Sequence, residues 1–118
     1  MRITVGEVEL QVELNDSETA GKIYEALPIK ASGAYWGGEI YFEFPVDAGS
    51  EDDAREAVEP GTVAYWPAGS CLCVFWGPTP ASEGEECRAA SPVNVVGRVM
   101  NLEALGRLRG RDVRVQAG

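Results

Sequence analysis

Residues 61–78, GTVAYWPAGSCLCVFWGP, constrain the fold of this 118-residue chain more than any other stretch, because they are its most apolar and aromatic part. Residues 62–66 and 72–76 have strand length and are rich in β-branched and aromatic side chains. Pro67 and Gly69 interrupt the pattern between them. We therefore predict two consecutive strands joined by a short turn. Neither segment alternates cleanly between apolar and polar residues, which predicts burial on both faces.

Length and charge limit the class of protein. A chain of 118 residues can bury one hydrophobic core, so we expect residues 1–118 to form a single domain. Nineteen acidic residues against 10 basic ones give a formal net charge of −9, which repels phosphate backbones. A nucleic-acid partner is therefore not expected.

The beginning of the chain and its cysteines bear on the compartment. Residues 1–5 enter a strand pattern directly, without an apolar leader, and residues 61–78 are interrupted well short of the roughly 20 apolar residues that span a membrane. No membrane partner is expected. Three cysteines, an odd number, fit reduced thiols. We expect a cytoplasmic protein.

Period-two alternation predicts further strands at residues 3–5 and 8–14, and at residues 29–36 and 39–44. The last two form a hairpin that turns at Gly37-Gly38. In residues 39–44, one face is predicted to be interior and the other exterior. The interior residues are Ile40, Phe42 and Phe44. The exterior residues are Glu39, Tyr41 and Glu43, which either are solvated or line a groove.

The remaining segments complete the predicted architecture. Helical spacing of apolar residues predicts a helix over residues 20–27. Residues 47–60 are acidic but lack the ligand spacing and glycine of an EF-hand, so a solvated loop is preferred to a calcium site. Residues 79–92 read as a long polar loop, followed by a strand at 93–100, a short helix and a closing strand. These elements predict a mainly β fold: a closed eight-stranded β-barrel capped by two short α-helices.

Three stretches carry a family resemblance: WGGEIYFEFPV, GTVAYWPAGSCLCVFWGPTP and ASPVNVVGRV. They resemble a small prokaryotic cyclophilin-like family that has no established function, while the segment DSETA entering a helix resembles cyclophilins themselves. The resemblance covers essentially the whole chain, whereas similarity to true cyclophilins is remote. It implies the same cyclophilin-like barrel that the residue pattern predicts.

The resemblance to cyclophilins also implies an activity, prolyl cis/trans isomerisation, which requires no covalent intermediate. In cyclophilins an arginine and a histidine line the active site. The strand that resembles the arginine-bearing one, residues 29–36, contains Lys30 and no arginine, and the chain has no histidine. Phe75 can keep the family's aromatic wall. We therefore assign no catalytic residue and expect binding in preference to catalysis.

Cysteines and carboxylates offer two alternative chemistries. Cys71 and Cys73 could ligate a metal only with Cys87 and a carboxylate, so buried thiols are preferred and no metal or cofactor is expected. Glu39 and Glu43 could form an acid/base pair only if one of them were desolvated.

The leading hypothesis is a binding module for a peptide or a small molecule. Its groove lies outside the strands at 39–44 and 61–76, overhung by the loop at 79–92. The candidate ligand-binding residues are Glu39, Tyr41, Glu43, Tyr65, Trp66, Cys73 and Phe75. The alternative is a weak peptidyl-prolyl isomerase. A third class is a self-associating protein, and we expect a monomer or a weak homodimer.

Overall fold

The computed structural model describes residues 1–118 and contains ten strands, one α-helix and one 3-10 helix. The strands are β1 (Arg2–Val5), β2 (Val8–Leu14), β3 (Ile29–Ser32), β4 (Ala34–Tyr35), β5 (Glu39–Glu43), β6 (Arg55–Val58), β7 (Thr62–Trp66), β8 (Cys71–Phe75), β9 (Cys87–Val99) and β10 (Asp112–Gln116). The α-helix α1 spans Glu18–Glu25, and the 3-10 helix spans Leu102–Arg107. Neither helix is long and apolar enough to cross a membrane.

All strand pairs are antiparallel, and hydrogen bonds order them β3-β10-β1-β2-β9-β7-β8-β5-β4, with β6 paired to β9 outside this path. The path ends at β3 and β4, which follow one another in the chain but do not pair. The predicted closed eight-stranded barrel is therefore wrong. The sheet has ten strands and is not closed, and an opening separates β3 from β5.

The strand count differs from the prediction at two places. The predicted strand at 29–36 is interrupted at Gly33, where a Cβ atom would lie 2.8 Å from Ile40 Cδ1. The second place is the acidic insert, where β6 pairs with the N-terminal half of β9. Residues 87–92 of that half lie in the segment predicted as a loop. β6 and the N-terminal half of β9 were missed from the sequence because these two segments pair with each other across a long stretch of sequence. In addition, the apolar pattern of each segment is weak.

The helices also differ in part from the prediction. The Ser17 hydroxyl caps α1 by accepting a hydrogen bond from the Ala20 backbone N–H, and Ala20 and Ile23 are buried. Tyr24 on the same helix is 50% exposed, so it does not belong to the core. The second helix is a six-residue 3-10 helix, so two α-helical caps are not present. Its Ala104 and Leu105 side chains are buried.

The buried side chains form two clusters on opposite faces of the sheet. The main core contains 19 residues, including Ile40, Phe42 and Phe44, as the alternation predicts. A second cluster of eight residues lies on the outer face of β7 and β8, and Tyr41 of β5 packs against it. β8 is buried throughout and β7 is buried except for Trp66, which confirms burial on both faces of the central hairpin. The second cluster is covered by β6 and the N-terminal half of β9.

Candidate functional site

A small pocket opens beside the second cluster, on the outer face of the sheet. Alternation along β5 directs Glu39 and Tyr41 to that face, where Tyr41 lies opposite Cys73 of β8. Trp66 extends the same face on β7. The pocket volume is about 190 Å³. Its lining consists of Trp36, Glu39, Tyr41, Trp66, Cys73, Ala89, Ala90 and Val93.

The N-terminal half of β9 forms the other wall of the pocket. Ala89, Ala90 and Val93 contribute short apolar side chains, which leave space that larger residues would fill. Except for Val93, this segment belongs to the predicted 79–92 loop, which was expected to overhang the groove. It does lie over the outer face, but as part of β9, which pairs with β6 at Cys87, Arg88 and Val93. Residues 89–92 lie in an irregularity between these pairs.

Glu39 is the one charged residue of the pocket. It is only 5% exposed, and none of the ion pairs in the protein includes it. Burial raises the pKa of Glu39 to about 7, and the neighbouring Cys73 thiol offsets this only in part. No lysine or arginine lines the pocket. The carboxyl group is thus half-charged near neutral pH and has no protein cation as a partner.

The thiol of Cys73 is unsuited to nucleophilic chemistry. Burial, followed by the negative charge of Glu39, raises its pKa well above the ordinary value for cysteine. Cys71 and Cys87 lie in the same cluster, and burial raises the pKa of each. All three cysteines are free and buried. The thiol at the pocket therefore stays protonated.

Local contacts position the two tryptophan residues of the pocket, Trp36 and Trp66. The Trp66 indole N–H donates to Ser91 Oγ at 2.6 Å. Gly69 makes room for the ring, since a Cβ atom there would lie 2.3 Å from Trp66 Cζ3. The Trp36 backbone N–H donates to the Glu39 carbonyl at 2.9 Å, which keeps Trp36 next to Glu39. The Trp66 ring is thus placed by the turn that follows its strand, and the Trp36 backbone is fixed by the turn that precedes β5.

The structure brings together four of the seven residues predicted from sequence: Glu39, Tyr41, Trp66 and Cys73. Phe75 is fully buried in the second cluster and does not line the pocket. Tyr65 points to the opposite face, where its hydroxyl donates to the Val46 carbonyl within the main core. Glu43 is exposed at the end of β5 and faces a different concavity.

Four lining residues were not among the predicted site residues: Trp36, Ala89, Ala90 and Val93. Trp36 is the last residue of the predicted strand at 29–36 and precedes the Gly37-Gly38 turn, but it was not singled out as a ligand contact. For the alanines, the alternation of Cys87 with Ala89 is the one available signal of a strand. It is too short to outweigh the polar residues before it.

Four larger concavities lie elsewhere on the surface, and their linings are more polar. The largest, about 1140 Å³, has two hydrophobic residues among twelve. Another, about 560 Å³, includes Arg98 and Glu13, which pair with each other at 3.4 Å. The 190 Å³ pocket differs because seven of its eight lining residues are hydrophobic. That lining is typical of small-molecule sites.

Fold and site together define a mainly β protein whose curved antiparallel sheet carries an aromatic, acid-containing pocket on its outer face. The family model described as Cyclophilin-like matches residues 1–115, so the chain belongs to the cyclophilin-like family. This confirms the resemblance carried by its sequence motifs.

One solved structure is similar over almost the whole chain. It is the solution structure of the hypothetical protein AF2241 from Archaeoglobus fulgidus, which is 40% identical to this chain. The match covers 99% of this chain and 92% of that chain, with a TM-score of 0.82. No curated protein gives a significant match. The similarity therefore supports the fold and leaves the function to be argued from the pocket.

Proposed function

We propose that the protein is a non-catalytic binding module that takes a small molecule, or one side chain of a peptide, into the outer-face pocket. The observation that carries the proposal is a preformed apolar pocket closed around one buried carboxyl group, that of Glu39. Ligand sites are commonly apolar concavities with a few polar groups that orient the ligand. The pocket has this composition.

The size of the pocket limits the ligand. A volume of about 190 Å³ holds about six water molecules at roughly 30 Å³ each. It is smaller than the roughly 300–1,000 Å³ of sites for drug-sized ligands. The proposed ligand is therefore a compound of a few heavy atoms, or a single side chain of a larger partner. Trp36, Tyr41 and Trp66 supply three aromatic side chains to the lining of the pocket.

The chemistry of the lining favours binding over isomerisation. A cyclophilin-type mechanism uses a guanidinium group near the proline nitrogen, and the lining contains no arginine, lysine or histidine. The neighbouring Arg88 is paired instead with Glu86 at 2.9 Å and with Glu56 at 3.3 Å. The protonated thiol of Cys73 offers no nucleophile. A binding role requires none of these groups.

A fragment titration followed by NMR tests the proposal. With ¹⁵N-labelled protein and a library of compounds of up to about eight heavy atoms, we expect saturable amide shifts at Cys73, Ala89, Ala90 and Val93. The exposed Ala90 tolerates a larger side chain, so Ala90→Leu should fill the pocket and abolish these shifts. The matched control is Ala57→Leu on β6, which is also exposed and lies outside the pocket.

Two outcomes would contradict the proposal. Shifts that persist unchanged in Ala90→Leu would place binding elsewhere on the surface. In a protease-coupled assay on a proline tetrapeptide we expect only the uncatalysed rate. Turnover by the wild type that Ala90→Leu abolishes would instead assign the pocket to a peptidyl-prolyl isomerase.

A further inference from the structure

Glu39 is a buried carboxyl group without a cation as its partner within the protein. It is only 5% exposed, and none of the ion pairs in the protein includes it. Among the other buried polar side chains, Asn94 donates to Thr19 Oγ1 and to the Gly49 carbonyl, and Thr79 donates to the Arg88 carbonyl. A carboxylate in an apolar site is destabilising unless a cation compensates it. A cation is therefore the group that would best stabilise the ionised form of Glu39.

The remaining lining suits an organic cation better than a metal ion. Trp36, Tyr41 and Trp66 contribute three aromatic side chains around one carboxyl group. Aromatic faces attract ammonium groups through their negative quadrupole, and cages of this composition recognise alkylated ammonium ligands. An inorganic cation would require several further oxygen or nitrogen ligands, which Ala89, Ala90 and the ring carbons do not supply.

The pocket also disfavours anions. No basic side chain lines it, and the indole N–H of Trp66 already donates to Ser91 Oγ. An anion would lie next to the partly charged Glu39 with few donors to bind it. The net charge of −9 acts in the same direction at longer range, because it concentrates cations near the surface.

We infer that the pocket binds a small organic cation, an ammonium group on an apolar body of about four carbons, with Glu39 as its counter-ion. The inference rests on the proposed binding function and names its ligand class. The volume of about 190 Å³ accommodates such a body together with the ammonium head.

Three probes of equal chain length test the charge requirement: n-butylammonium, 1-butanol and butyrate. They are titrated into ¹⁵N-labelled protein at pH 8, with amide shifts of Cys73, Ala89 and Val93 as the readout. We expect n-butylammonium to bind at least tenfold more tightly than 1-butanol, and butyrate to cause no saturable shift. The alcohol controls for the apolar contacts that all three probes share.

Two variants separate a local ion pair from a general effect of charge. Glu39→Gln keeps the size of the side chain and removes its charge, so ammonium affinity should fall to that of the alcohol. Glu43→Gln is the matched control, because Glu43 lies on the same face of β5 but is exposed and outside the pocket. It removes the same formal charge and should leave the affinity unchanged within twofold.

The pH dependence provides a second readout. With a Glu39 pKa of about 7, ammonium affinity should fall about tenfold from pH 8 to pH 6 as the carboxylate becomes protonated. The other titratable groups facing Glu39 are Tyr41 on β5, Cys71 and Cys73 on β8, and Cys87 on β9. Burial raises the pKa of each thiol, so the cysteines stay neutral across this range. Glu39→Gln should abolish the pH dependence.

The possible failures of the two proposals can be told apart. Equal affinity for the ammonium and the alcohol, with no effect of Glu39→Gln, would overturn the cation inference and leave pocket binding intact. The same holds if other fragments shift the pocket amides and n-butylammonium does not. Absence of pocket shifts with every fragment would overturn both.

Discussion

Glu39 occupies a position where folding and the proposed binding function make opposite demands. Its strand alternates so that the neighbouring Ile40 enters the main core, which leaves Glu39 on the outer face. The arm formed by β6 and β9 then covers that face and removes the carboxyl group from water. A group retained at a cost in stability is typical of a functional site.

We predict that Glu39→Gln stabilises the ligand-free protein at alkaline pH. The folded-state pKa of about 7 lies above the ordinary value of 4.5, so the folded protein binds the proton more tightly than the unfolded chain does. The resulting stability is fully present below about pH 4.5 and is lost as pH rises through 7. At about 1.36 kcal/mol per pKa unit, this loss is roughly 3 kcal/mol by pH 8.5.

Urea unfolding of both proteins at pH 5 and pH 8.5 measures the effect. The free energies of unfolding should be similar at pH 5, and the variant should be more stable by roughly 3 kcal/mol at pH 8.5. Glu43→Gln, at an exposed position on the same strand, serves as the control and should show no such divergence. A constant difference between Glu39→Gln and wild type at both pH values would contradict the prediction.

At the scale of elements, the opening in the sheet lies between the edges of β3 and β5. The Gly33 N–H donates to the Arg111 carbonyl, and this bond shows which residues of β3 form hydrogen bonds with β10. Antiparallel pairing alternates, so Ala31 directs its backbone groups to β10, while Lys30 and Ser32 direct theirs to the opening. This edge of β3 is unpaired.

The facing edge of β5 has the same property. The Phe44 N–H donates to the Ser70 carbonyl, so Phe42 also pairs with β8 and Glu43 directs its backbone groups to the opening. Exposed charged side chains stand on both edges, Lys30 on one and Glu43 on the other. Charged residues on open edges discourage pairing with other chains.

We predict that amide hydrogen exchange reports this opening directly. The amides of Lys30, Ser32 and Glu43 should exchange much faster than those of Ala31 and Phe42, because only the latter two are bonded within the sheet. NMR-detected exchange at neutral pH resolves the amides individually. The alternating neighbours on each strand are the internal controls. Equal protection of both sets would mean that β3 and β5 pair and that the sheet closes in solution.

For the whole molecule, β9 is the element that joins the two buried clusters. Its C-terminal part contributes Val96 and Val99 to the main core, and its N-terminal part contributes Cys87, Ala89 and Val93 to the second cluster. Opening of the second cluster would therefore strain a strand that the main core holds. A single cooperative unit over residues 1–118 remains a prediction, as does its expected state as a monomer or weak homodimer.

We predict that the two clusters unfold together. Cys71, Cys73 and Cys87 all lie in the second cluster, so thiol labelling reports that cluster alone, whereas far-UV circular dichroism reports the whole sheet. The free energy of opening from thiol labelling in urea should equal the global free energy of unfolding. Labelling at urea concentrations that leave the dichroism unchanged would show that the outer arm opens independently.

Local pattern in the sequence determined which residues face inward along each strong strand. Alternation along residues 39–44 separated Ile40 and Phe42 from Glu39 and Tyr41, and the apolar run at 61–78 predicted burial on both faces. The same motifs carried the family resemblance. These features depend on side chains a few residues apart, and such spacing is legible in a single sequence.

The tertiary structure alone decided what covers the outer face and whether the sheet closes. Glu39 is buried because β9, about fifty residues further along the chain, folds over it with β6. The sheet stays open because the chain changes its pairing partner at Gly33, so that β3 pairs with β10 and β4 pairs with β5. Both outcomes depend on packing between segments distant in sequence, which local periodicity does not encode.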